Sequence, residues 1–314
     1  APFGGKLIVL GGDFRQVLPV ILRAGPAEVV AACVNRASFW PRVKILRLRQ
    51  NMRVSRLERE GEDASPLRAW AQFLERISDG TEPAIAMGGL EDCVRLPDAV
   101  CLPPESRTMR GLVDSIFGEA RWGDTVWMTG RAVLAARNEE VDRVNDDVFA
   151  RFPAEGPDVE LLSADSTEEE GEEAVYPVEF LNSINPSGLP PHKLRLKKNM
   201  PVMLLRNLAS AKEVANGTRL IVKGVLRHVI DAEIANRSHV GRRVFIPRIT
   251  LTPSEDGFRM PFKLKRRQFP VRLAFAMTIN KAQGQTLQRV GLFLPSHVFP
   301  HGQLYVALSR VGSE

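Results

Sequence analysis

The feature that most narrows the fold is the order of textures between residues 269 and 310. An apolar run (Val271, Leu273, Phe275, Met277) leads into the polar Thr278-Ile279-Asn280-Lys281, followed by Gln283-Gly284-Gln285-Thr286. A second apolar run covers residues 290–294, and residues 303–310 have helical spacing and end in Arg310. The order is strand, polar loop with a glycine, helix, strand, helix. It predicts the edge of an α/β sheet where backbone and short polar groups meet phosphates and an arginine faces a partner domain.

The remaining bulk properties bound the class. At roughly 150 residues per domain, 314 residues suit two domains. With 44% hydrophobic and 25% charged residues, the composition is that of a soluble globular protein. No apolar run approaches the ~20 residues of a membrane span, so no membrane partner is expected. The opening Ala1-Pro2-Phe3 has neither a basic stretch nor the long apolar run of a signal peptide. It also lacks an initiator Met, so the chain reads as a piece of a longer protein. Cys33, Cys93 and Cys101 are an odd set without metal-like pairing, which argues for a reducing compartment, against a disulfide framework and against a metal site. A net charge of +6 fits a polyanionic partner without requiring one.

Taken in order, residues 6–10 (Leu7, Ile8, Val9, Leu10) predict a buried parallel strand. It runs into Gly11-Gly12-Asp13-Phe14-Arg15-Gln16, where glycines let a loop approach a ligand closely. An apolar run before an aspartate also suits a magnesium-binding strand, and Asp13 and Gln16 could equally cap a turn. Residues 27–32 predict a helix, and residues 43–48 alternate apolar and basic as a strand does, ahead of Arg53. Leu67, Trp70, Ala71, Leu74 and Ile77 share one helical face, stopped by Asp79-Gly80. Residues 82–104 read as loop and short helix, and residues 110–117 as another helix. Residues 131–136 predict a second buried strand, and the helix after it carries Val141, Val144 and Val148, as a second nucleotide-fold core would begin. Asn138 either caps that helix or touches a phosphate; the cap is the preferred reading. The acidic residues 168–173 read as a solvated loop. Beyond a linker at residues 186–191, short alternating runs and the Asn216-Gly217 turn predict a small all-β module inserted into the second core. Two basic groups, Lys193/Arg195/Lys197/Lys198 and Lys263/Lys265/Arg266/Arg267 beside Arg272, are each either a face for nucleic acid or a solvated surface.

The stretches 278–286 and Tyr305-Val306-Ala307-Leu308-Ser309-Arg310 resemble the closing motifs of the Pif family of DNA helicases, in the RecD/Pif branch of superfamily one. They look closest to the helicase region of Helitron transposon proteins. Gly12-Asp13-Phe14-Arg15-Gln16-Val17-Leu18-Pro19 resembles the third helicase motif, and Asn138 through Asn145 the family's Asn-Glu-x-Val-Asp-x-x-Asn pattern. The resemblance implies an α/β fold of two RecA-like (P-loop NTPase) cores, the first incomplete, with a small SH3-like β-barrel inserted in the second. The implied domains are residues 1–118 for the first core, 119–188 with 269–314 for the second, and 189–268 for the barrel.

The implied roles follow residue by residue. Gln16 senses the γ-phosphate, Arg53 reaches it from the same domain, and Arg310 is the arginine finger. Gly12, Asp13, Gln283 and Gly284 face the nucleotide. Asn138, Thr278, Asn280 and Lys281 face DNA phosphates, with Asn280 standing where many members have histidine. Tyr305 and Leu308 pack the core. The implied cofactors are ATP and Mg2+, bound mainly through upstream residues. The chain holds no G-x-x-x-x-G-K-[ST] loop, and Gly4-Gly5-Lys6 is followed by Leu7 and a predicted strand. The implied protein is a monomer moving 5′ to 3′ on single-stranded DNA, in the nucleus or the mitochondrion. It would serve repair, recombination, telomere maintenance or transposition, and these residues alone would hydrolyse nothing. A non-catalytic nucleic-acid-binding module and a decayed transposon remnant are the alternatives.

Overall fold

The computed structural model describes residues 2–21, 24–118, 121–153, 155–168, 175–186, 188–208, 214–235, 240–253, 260–295 and 302–311. The acidic run lies mostly outside them. Contacts divide the chain into two compact units, the first of residues 1–107, 282–288 and 294–314, the second of residues 108–281 and 289–293.

The second unit is built on the strand Arg131–Ala135, whose residues 132–135 are fully buried. It pairs in parallel with Ala276–Thr278 on one edge and Arg289–Phe293 on the other. Val133 and Ala135, two residues apart and so on one face, meet a core supplied by the helices Met109–Phe117 and Asn138–Arg151. The second helix buries Val141, Val144 and Val148 at helical spacing. Its start carries Glu139 and Glu140 and its last turn Arg151, charges that oppose the helix dipole at each end. Each buried valine contributes about 1.5–3 kcal/mol. Gly291 sits where the first of these helices crosses the sheet. A Cβ there would meet Leu112 Cδ1 and Ile116 Cγ1, each at 2.9 Å, so a larger residue would push those side chains aside.

The alternating region forms an antiparallel five-stranded sheet in the order Arg243–Pro247, Val229–Ile234, Arg219–Val225, Pro201–Leu204, Val271–Leu273. The turn at Asn216-Gly217 falls between Pro201–Leu204 and Arg219–Val225, as the sequence predicts. Among the described residues the two edge strands are not paired with each other, so the expected barrel is here an open sheet. Val271–Leu273 joins it from beyond the inserted stretch. In turn Leu264–Gln268 pairs with Ala164–Thr167, and Lys193–Leu196 with Val159–Leu162, both from before it.

Burial corrects the reading of the basic groups. Arg266 is fully buried, its guanidinium forked onto Asp165 (Nη2 to Oδ2 2.6 Å, Nε to Oδ1 3.0 Å) and donating to the carbonyls of Pro190 and Ile184. Lys197 is buried too, giving its ammonium to the carbonyls of Phe149 and Phe152. Neither can belong to a solvent-facing patch. Lys263 and Lys265 remain outside, both beside Glu168. A buried charge persists only where a counter-charge and acceptors surround it, and the carbonyls left over at helix and strand ends supply them here.

The first unit holds the helices Pro26–Ala31, Met52–Glu60, Ser65–Asp79 and Gln303–Leu308, and a hairpin of Ala84–Met87 with Leu90–Val94. The hairpin lies where loop and short helix were expected. Asn51 caps the second helix by accepting from the Arg53 and Val54 amides. Trp70 and Phe73 are the buried side of the third. Residues 6–10 and 43–48, expected as strands, are irregular here: Leu7 is 91% exposed, Val9 86% and Leu46 79%. A strand needs a neighbour for its amides, and the only strands described in this unit are the hairpin's own.

Replacing Arg266 by Leu leaves the Asp165 carboxylate buried without its cation, a loss of about 3–5 kcal/mol in urea unfolding; Asp165→Leu/Arg266→Leu together should recover most of it. Equal losses in the two proteins would show that the charge pair does not set the stability of this region.

Candidate nucleotide and nucleic-acid sites

In the first unit, the turn at residues 13–16 is closed by two bonds to Asp13: its carbonyl accepts from the Gln16 amide at 3.2 Å and its Oδ1 from the Arg15 amide at 2.9 Å. The Gln16 side chain is then held on both sides. Its Nε2 donates to Asp13 Oδ2 at 3.3 Å, and its Oε1 accepts from Gln283 Nε2 at 2.8 Å. Asp13 Oδ2 also accepts from the Tyr305 hydroxyl at 3.3 Å. Tyr305, expected only to pack, is thus a polar contact of the site, while Leu308 is buried as expected. Burial and the Asp13 carboxylate push the Tyr305 hydroxyl above its ordinary range, so it stays a donor.

Gly302 opens the helix Gln303–Leu308 with a left-handed φ of 78°, and a Cβ there would lie 2.4 Å from the Gln16 carbonyl oxygen. Only glycine fits that position, for both conformation and space.

Beside this network lies a cavity of about 280 Å³ whose wall includes Arg15, Arg53, Arg310, Ser309, Tyr305 and Trp70. Arg15 is steadied by Glu75 at 3.6 Å and Asp79 at 3.3 Å. The Arg310 guanidinium donates to the carbonyls of Val306 (2.8 Å), Gln285 (3.1 Å) and Ala282 (3.3 Å) and to Ser309 Oγ (2.9 Å). Its burial, with Arg53 close by, lowers its pKa from the ordinary arginine value. Neutral carbonyls are weaker partners for guanidinium than a phosphate is, so an anion entering the cavity can take these donors over. Three arginines, a hydroxyl and a phenol suit a phosphate. Among the described residues no group of three or more His, Cys, Asp or Glu could hold a metal ion. Gly12 and Gly284 do not line this cavity.

In the second unit the four expected DNA-facing residues gather at the C-terminal ends of parallel strands, where open α/β sheets bind ligands. Thr278 ends its strand in register with Ala135. Asn280 and Lys281 follow in the short helix Ile279–Ala282, and Asn138 opens the helix after Ala135. Asn138 is not the cap. Arg137 takes that position, with its amide on Glu140 Oε2 at 3.0 Å, and Asn138 Oδ1 accepts from Arg272 at 3.2 Å. Arg272 also grips Asp142 (Nη2 to Oδ2 2.7 Å). Asn138, Asp142, Arg195 and Arg272 line a cavity of about 830 Å³, with Arg195 stacked 4.1 Å over the Phe149 ring.

Asn145 closes the Asn-Glu-x-Val-Asp-x-x-Asn pattern inside the helix Asn138–Arg151. It is buried and clamps the incoming strand, its Oδ1 accepting from the Ala276 amide at 2.9 Å. Its signal was its place seven residues into the helix, on the face of Val141 and Val148. Burial, and then the neighbouring Arg272, lower the Lys281 amine to about 8, with Asp142 acting in the opposite sense.

Two family models match the chain: PIF1-like helicase over residues 1–87, and the 2B domain of DNA helicase Pif1 over residues 179–225. The ATP-dependent DNA helicase PIF7 of Trypanosoma brucei brucei is 25% identical over 98% of this chain and 32% of its own length. The ATP-dependent DNA helicase PIF1 of Xenopus laevis is 32% identical over 56% of this chain and 25% of its own. The chain thus spans a third or less of the length of these relatives. The crystal structure of Bacteroides Pif1 bound to single-stranded DNA shares the fold, with a TM-score of 0.55 at 20% identity over 99% of this chain and 61% of that one.

A site-resolved titration of the Lys281 amine should show a midpoint near 8 in place of the ordinary 10.5. Its charge is present below that pH and lost above it. Between the two values the unfolded chain holds the extra proton, so this group favours the folded form increasingly as pH rises. A midpoint at the ordinary value would contradict the buried placement.

Proposed function

We propose that the chain is a Pif1-like helicase and that it supplies the sensing and closing parts of an ATP-dependent DNA helicase. The observation that carries the proposal is the cavity shared by Arg53 and Arg310, with Gln16 bonded to Gln283 beside it. The Arg53 and Arg310 guanidiniums in one wall suit a terminal phosphate whose negative charge grows in the transition state. Arg310 is the arginine finger, Arg53 a second cation on the same phosphate, and Gln16 the group that senses it. ATP is the nucleotide. In this reading the phosphate loop and the Mg2+ ligands would be supplied by residues outside these 314, and Mg2+ would there neutralise phosphate charge.

Thr278, Asn280, Lys281 and Asn138 offer hydroxyl, amide and ammonium donors to the backbone of single-stranded DNA. They sit where a strand could pass over the ends of the parallel sheet. The 2B match takes in two strands of the open five-stranded sheet, Pro201–Leu204 and Arg219–Val225, and supports reading that region as a small SH3-like module. The expected domains, 1–118, 119–188 with 269–314, and 189–268, go with this reading, as do a monomeric protein, 5′ to 3′ movement and work in the nucleus. A transposon origin is tested by the same gene: a replication-initiator nuclease encoded upstream supports it.

In the full-length protein, ATP turnover should depend on single-stranded DNA, and Arg310→Ala should lower kcat on the order of 10³-fold. Turnover unaffected by that change would remove the finger assignment. The 314 residues alone should bind single-stranded DNA with an affinity that falls steeply with salt and should hydrolyse no ATP. This second outcome also suits a purely binding module, which the lack of a phosphate loop in the chain favours; DNA-stimulated turnover by the full-length protein decides against it.

A further inference from the structure

Resting on that reading, we infer that Tyr305 is a positioning residue: its hydroxyl, acting through Asp13, sets the Gln16 amide for the nucleotide and ties it to the helix that carries Arg310. The amide of Gln16 has one acceptor oxygen and two N–H donors. Gln283 Nε2 occupies the oxygen at 2.8 Å, and Asp13 Oδ2 takes one N–H at 3.3 Å. The orientation is therefore forced, and one N–H of Gln16 is left to aim at a phosphate. Asp13 is itself committed. Its Oδ1 holds the Arg15 amide and its Oδ2 accepts from the Tyr305 hydroxyl at 3.3 Å, and the two bonds together set the plane of the carboxylate.

A second contact places the same helix against the same turn. Gly302, at the helix start, approaches the Gln16 carbonyl so closely that no side chain fits. The helix Gln303–Leu308 therefore touches the Gln16 turn twice, once through backbone at its start and once through the Tyr305 hydroxyl. Arg310 follows two residues after the helix and lines one cavity with Tyr305. A shift of this helix that re-aims Arg310 must also release or tighten Asp13, and with it Gln16. Sensing and closing then occur together, because one phenolic hydroxyl joins them. Its raised pKa keeps that hydroxyl protonated, so the link holds at neutral pH.

The test uses DNA-stimulated ATP turnover by the full-length protein. Tyr305→Phe keeps the ring and its packing and removes only the hydroxyl. We expect kcat to fall about tenfold with KM for ATP changed by less than about twofold, the size of effect one lost orienting hydrogen bond produces. Gln16→Ala/Tyr305→Phe should be no slower than Gln16→Ala, because the hydroxyl acts only through the glutamine. Wild-type kcat in Tyr305→Phe, or losses that multiply in the double variant, would overturn the inference while leaving the helicase reading in place. A full-length wild type that turns over no ATP overturns both. Should Tyr305→Phe lower the melting temperature, Asp13→Asn provides the second arm. It keeps the turn and one acceptor oxygen, and it should reproduce the fall in kcat and be equally silent in combination with Gln16→Ala. An Asp13→Asn defect that multiplies with Gln16→Ala counts against the relay.

Discussion

A strand with no exposed residue over four positions must be hydrogen-bonded on both edges and covered on both faces. Arg131–Ala135 imposes that condition on the second unit, and it reaches more than 140 residues along the chain to meet it, to Ala276–Thr278 and Arg289–Phe293. Satisfying it brings the polar ends of two strands side by side, so Thr278 lies level with Ala135 and one turn of chain from Asn138. The gathering of donors is a by-product of burying Val133 and Leu134. Asn145 reinforces it by holding the Ala276 amide.

The same economy explains where the arginines went. Arg219 lies fully buried between the open sheet and the parallel strands, donating to the carbonyls of Thr129, Arg131 and Ala274, and burial lowers its pKa to about 10. Arg266 does similar work at Leu181, Ile184 and Pro190. Where strands of two sheets end together, carbonyls face each other without amides to meet them. A guanidinium, with five donors in a plane, satisfies several at once. A basic run in a sequence can therefore be an internal brace, and only burial tells it from a nucleic-acid track.

In the first unit the polar network has a different character. Arg310 spends its donors on the carbonyls of Val306, Ala282 and Gln285 and on Ser309 Oγ, whereas the Gln16 side chain is held on two sides, by Asp13 and Gln283. The arginine is held by bonds a phosphate can outcompete, and the glutamine by bonds it need not break. That difference suits one group that moves and one that reports. The apolar side chains at residues 7–10 and 45–48 lie open on the same unit, so its helices and its glycine-opened turn, not a sheet, hold the network together.

Local pattern anticipated the helical face at residues 66–77, the buried strand at 131–136, the helix after it that carries Val141, Val144 and Val148, and the turn at Asn216-Gly217, while the resemblance to short motifs singled out Gln16 and Arg310 as candidates. Each rests on spacing along one element, or on a motif a few residues long. Tertiary structure alone decided that residues 6–10 and 43–48 do not form strands here, that Arg266 and Lys197 are buried, that Asn138 bonds to Arg272 instead of capping its helix, and that Tyr305 reaches Asp13. Each of these depends on what a distant segment brings within hydrogen-bond range. Hydropathy along a chain encodes which face of an element is buried, but it carries no record of which donors and acceptors will arrive opposite that face.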